Sequence, residues 1–120
     1  MHRLWIAAGA LTGLKAVGWS AWAAHAGPRV LAPAELAMLG TALQTMGWHA
    51  PALIAAALWA ERRGRLAHAG CGLLLAGLIL FAGALFCRAL WGVSLGFVAP
   101  LGGLTLMAGW AVLAASAVRR

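Results

Sequence analysis

Apolar positions along the chain gather into four long runs, broken by short polar or glycine- and proline-containing segments. The runs, at about 4–26, 36–60, 66–89 and 96–118, are each close to the length that a helix rising about 1.5 Å per residue needs to cross a hydrocarbon core roughly 30 Å thick. Gly27-Pro28 closes the first run, because proline disfavours continued helix. Glu35 opens the second, where a carboxylate complements the positive end of the helix dipole. Within that run Pro51 removes the backbone bond to Gly47 and predicts a kink. Glu61-Arg62-Arg63-Gly64-Arg65 reads as a tight charged turn, and Gly92 to Ser94 as a short turn into the last helix.

Composition turns these helices into membrane spans. The chain is 64% hydrophobic and 9% charged, whereas a soluble domain carries nearer a quarter charged residues, so its apolar surface must face lipid. The formal charge of +7 does not indicate nucleic acid, since the basic residues form no patch interleaved with aromatics and sit mostly at the ends of apolar runs. With four spans, Arg3, Arg62, Arg63, Arg65, Arg119 and Arg120 fall on one side, and Arg29 and Arg88 on the other. The positive-inside bias then puts both termini in the cytoplasm. The expected class is an all-α integral membrane protein: an antiparallel four-helix transmembrane bundle forming one domain over 1–120, multi-pass in a bacterial inner membrane. His2-Arg3, an apolar run and Ala24-His25-Ala26 have the outline of a secretory signal, but Lys15 interrupts the run, which is also longer than a signal core; a retained span is expected.

Few side chains offer chemistry. Cys71 and Cys87, on one helix about 24 Å apart, cannot bridge each other. There is no Asp, no nucleophile elbow, no phosphate-binding glycine loop and no metal-ligand spacing, so no catalytic residue, metal or cofactor is expected. Histidines at three different depths argue against bis-histidine haem ligation. The intramembrane polar candidates are Lys15, near the middle of the first span, and a stripe of Thr41, Thr45 and His49 with Gln44 and Trp48 beside it, at helical spacing and expected to face protein. Two readings stay open for Lys15: an ammonium that snorkels or stays neutral, or a buried charge facing His49, Gln44 or an acid on a partner subunit. Helix packing is expected from Gly9 and Gly13, and from Pro100, Gly102, Gly103, Gly109 and Trp110.

Several blocks resemble one family. Ala99-Pro100-Leu101-Gly102-Gly103 and Ala108-Gly109-Trp110 look like the Thr-Pro-x-Gly-Gly and Gly-Trp of the domain of unknown function 423 family. Leu80-Phe81-Ala82-Gly83-Ala84-Leu85-Phe86-Cys87 is similar to its Leu-Phe-Ser-Gly-Ser-Leu-Tyr-Cys segment; Trp48-His49-Ala50 and Ala24-His25-Ala26-Gly27 match further steps in order. Departures are Thr45-Met46 where the family tends to have Tyr-Gln, a loosened Gly18 to Ala24 segment, and Lys15 in place of an apolar residue. The resemblance implies a small four-span membrane protein and no particular activity. The leading expectation is a non-enzymatic accessory or assembly component, held in the bilayer with a membrane-protein partner or as a homo-oligomer. The alternative is a small transporter or lipid-handling protein that uses the polar face of the second span.

Overall fold

The computed structural model describes residues 1–118; Arg119 and Arg120, which enter the charge count above, lie outside the described residues. The described chain is helical, with α1 at His2–His25, a single turn α2 at Gly27–Val30, α3 at Pro33–Arg63, α4 at Arg65–Trp91 and α5 at Val98–Val118. The breaks are shorter than the charge pattern predicts. Pro33 sits in the first turn of α3, where its missing N–H is not needed, and the Glu35 carboxylate accepts a 2.8 Å bond from the Ala32 N–H, extending that helix backwards. At its other end Glu61, Arg62 and Arg63 remain helical, and Gly64 alone, at φ 70°, reverses the chain into α4. Gly92, at φ 68°, closes α4, its N–H returning to the carbonyls of Arg88 and Cys87.

Helices pack in chain order as an open, staggered row: α1 on α3, α3 on α4 and α4 on α5. Among the described residues α1 and α5 make no contact. Space for a Cβ at Gly9 is taken by Ile54 and Ala50, and at Gly27 by Leu36, so α1 and α3 run in opposite directions. The core is built from small residues: Ala42, Ala57, Ala60 and Ala67 are fully buried, and Leu39, Leu53, Leu74 and Cys71 are the largest fully buried side chains. Such packing suits helices in lipid, where close approach of backbones stands in for a hydrophobic driving force.

The closest approach is between α4 and α5. Gly70, Gly77 and Ala84 on α4, and Gly102, Gly109 and Ser116 on α5, recur every seven residues and are all buried. The seven-residue interval keeps one seam of small side chains on the neighbouring helix. A Cβ at Gly77 would lie 2.6 Å from Leu106 N, and one at Gly109 would lie 3.0 Å from Leu74 N.

Large apolar side chains point the other way. Leu4, Leu14 and Val17 on α1, and Leu104 and Met107 on α5, are more than half exposed. In water a patch of that extent would be an aggregation surface; it is what lipid contact requires. α4 and α5 are both long and apolar enough to cross a membrane.

Candidate functional site: the groove between α1 and α4

Lys15 and the polar stripe of α3 are open to pairing in one candidate cluster, and the fold gives them different neighbours. On α3 the hydroxyls turn back on their own helix, Thr41 donating to the Ala37 carbonyl at 3.2 Å and Thr45 to the Thr41 carbonyl at 2.9 Å. A hydroxyl satisfied four residues back needs no neighbouring helix, and Thr41 is accordingly exposed; Gln44 and Trp48 are exposed as well, Trp48 at 72%. Thr45 and His49 are half-buried, and the His49 ring lies 5.9 Å from that of Trp110 on α5. The Trp110 indole N–H donates to His49 Nε2 at 3.1 Å, while His49 Nδ1 lies 2.8 Å from the Thr45 carbonyl. An indole only donates and a carbonyl only accepts, so the imidazole is neutral and protonated on Nδ1. Both ring nitrogens are thereby occupied.

That contact links α3 to α5, which meet little otherwise, as does a 3.0 Å bond from the Trp59 indole to Ser116 Oγ. Trp110 is itself half exposed, so its contribution is this bond more than filled space. Trp110→Phe keeps the ring and removes the donor. It is expected to lower stability by about 0.6 kcal/mol, the average for an interhelical hydrogen bond in a membrane. Reversible unfolding of the purified protein in mixed micelles measures this.

Lys15 lies elsewhere. α1 and α4 meet near their ends, through a 3.0 Å bond from the Trp5 indole to His68 Nδ1 and through the edge-on contact of Trp19 with Phe86 at 5.2 Å. Between these contacts they part, leaving a groove of about 360 Å³ with Met46 of α3 as its floor, and Thr12, Lys15, Ile79 and Gly83 on its walls. Beyond Trp19 it continues into a lobe of about 530 Å³ bordered by Lys15, Gly18, Trp22 and Leu90. Gln44 is two residues from Met46, about 200° around the helix, so it faces away from the groove.

Lys15 is exposed at the mouth of this groove, about 20 Å along the helix from His2 and about 15 Å from His25. Among the described residues it has neither a hydrogen bond nor an ion pair. The two carboxylates of the chain are engaged elsewhere: Glu35 caps α3, and Glu61 stands 3.8 Å from His2 Nε2. No His, Cys, Asp or Glu group of three or more among the described residues converges on a common point.

Of the packing residues, Gly9, Gly102 and Gly109 sit where a Cβ would collide, whereas a Cβ at Gly13 would lie 3.6 Å from the Ala50 Cβ and one at Gly103 would meet only Phe81 Cδ2, at 3.9 Å. Pro100 is exposed in the first turn of α5. The residues that sequence reasoning passes over are Gly70 and Gly77, whose seven-residue interval matches that of Gly102 and Gly109.

The family model described as "Protein of unknown function (DUF423)" matches residues 19–103. UPF0382 inner membrane protein YgdD of Escherichia coli K12 is 31% identical over 112 residues, covering 92% of this chain and 86% of that protein. UPF0382 membrane protein YwdK of Bacillus subtilis is 31% identical over 121 residues, covering 98% of each. A UPF0382 membrane protein of Haemophilus influenzae is 31% identical over 106 residues, covering 88% of this chain and 86% of that protein. No solved structure matches the chain.

Proposed function

The chain belongs to the DUF423 family of helical membrane proteins, and from that premise we propose that it is a non-enzymatic accessory or assembly component of a larger complex in the bacterial inner membrane. In this reading α1, α3, α4 and α5 all cross the bilayer as an antiparallel four-span unit, with both termini in the cytoplasm. The exposed Leu and Val side chains of α1, and Trp48 and Leu58 on α3, support spanning by those two helices as well as by the two more apolar ones. A reporter active only in the cytoplasm should work when fused beyond Arg120; activity restricted to a reporter for the opposite side would reverse the topology.

The observation that carries the accessory role is Lys15: a cation near mid-span, turned outward, with both acids of its own chain engaged elsewhere. An uncompensated charge at that depth costs about 2.5–3.5 kcal/mol, which a partner's carboxylate would offset. The transport reading has less support, because the α3 hydroxyls and His49 spend their hydrogen bonds locally and Gln44 lies outside. Purification in mild detergent followed by native mass spectrometry tests the proposal. A mass combining this 12.3 kDa chain with a different subunit is the expected result. Multiples of its own mass alone would contradict it.

A further inference from the structure

We infer that the α1/α4 groove is the seat of one transmembrane helix from another protein, a helix bearing an Asp or Glu at mid-depth that pairs with Lys15. The inference rests on the accessory reading above and names the chemistry of the partner. Three observations converge on it. First, the groove is walled by two nearly parallel helices held apart around the position of Lys15, with contacts near their ends at Trp5–His68 and Trp19–Phe86. Second, Gly18 and Gly83 border the groove, and a Cβ at either would meet nothing within 4 Å, so a visiting backbone can come close on both walls. Third, the charge at its mouth is unmatched among the described residues.

Charge complementarity selects the occupant. A second copy cannot supply the acid, because Glu35 lies in the first turn of α3 and Glu61 near its end, both far from mid-depth and both engaged. Two copies facing each other through this groove would oppose two ammonium groups. A lipid phosphate is also a poor match: it belongs at the level of Trp22 or beyond, about 10 Å above the Lys15 Cα, and the lysine stem reaches only about 6 Å. A carboxylate carried on a helix reaches the required depth.

The test co-reconstitutes the full-length protein, labelled with an acceptor dye beyond Arg120, with donor-labelled leucine-rich transmembrane peptides in vesicles of phosphatidylethanolamine and phosphatidylglycerol. One peptide carries a single central Glu, a second carries Gln at that place, and a third carries the Glu near one end. Energy transfer should report association of the central-Glu peptide, about tenfold weaker association of the other two, and a similar loss with Lys15→Leu. Lys15→Glu should instead bind a peptide with a central Lys. Equal transfer from the Glu and Gln peptides would overturn the inference, and that comparison needs no protein variant. Loss of transfer as phosphatidylglycerol is raised at constant peptide would identify an anionic lipid as the occupant and overturn it equally. Should the Glu peptide bind while the protein from native membranes is found only as its own oligomer, the docking chemistry stands and the accessory role falls. A native heteromer that is indifferent to Lys15→Leu would mean the reverse.

Discussion

Gly102→Leu is expected to separate α4 from α5 and to destabilise the folded protein by about 3 kcal/mol or more, the upper end for overpacking a tight interface. At Gly102 a Cβ would lie 2.8 Å from the Phe81 Cα and 2.9 Å from the Gly77 carbonyl oxygen, and would also press on the Phe81 backbone nitrogen. Backbone cannot swing aside as a flexible side chain does, so relief requires the helices to part along the whole seam. Gly103→Leu is the control. There the Cβ meets only Phe81 Cδ2, at 3.9 Å, and the change should stay within about 1 kcal/mol. Unfolding of the three proteins in mixed micelles, followed by far-ultraviolet circular dichroism, checks both; similar losses for the two variants would contradict the assignment of the seam.

Lys15→Leu is expected to act in the opposite direction on the isolated chain. In the proposed four-span topology, removing a cation from the middle of α1 and adding an apolar side chain should favour its insertion by about 3 kcal/mol. A glycosylation-based insertion assay on α1 reads this directly. A lysine that reaches the interface freely would show a gain of well under about 1 kcal/mol, and the burden assigned to its charge would vanish. A residue retained at a cost to insertion needs a compensating contact, and none is made among the described residues, where Glu35 caps α3 and Glu61 faces His2.

The family, the helical membrane character and the identities of the odd residues were legible in sequence, because apolar runs, terminal arginines and the Pro-x-Gly-Gly and Gly-Trp blocks are local signals. What sequence cannot give is rotation about a helix axis. Gly102 and Gly103 are equivalent in composition yet differ by about 100° around α5, and only Gly102 abuts the backbone of α4. The Thr41, Thr45 and His49 stripe was expected to face protein on the ground that polar groups in lipid need partners. It holds for His49, which accepts the Trp110 indole N–H of α5, and not for Thr41, whose hydroxyl is satisfied by the carbonyl four residues back without a second helix. Lys15 and His49, both near mid-span, were open to pairing; His49 instead accepts the Trp110 indole N–H of α5, while Lys15 opens on the α1/α4 groove. The seven-residue interval of Gly70 and Gly77 is present in the sequence but does not single out a seam, since glycine-rich helices contain many such spacings.

Dependence of complex formation on the charge at position 15 bears most directly on the proposed role. Affinity-tagged wild-type protein, Lys15→Arg and Lys15→Leu are purified in parallel from native membranes in mild detergent, and the ratio of co-purifying subunit to tagged chain is measured. Stoichiometric retention by wild type and Lys15→Arg, with loss from a helical and monodisperse Lys15→Leu, is the predicted result; the same ratio for all three would contradict it.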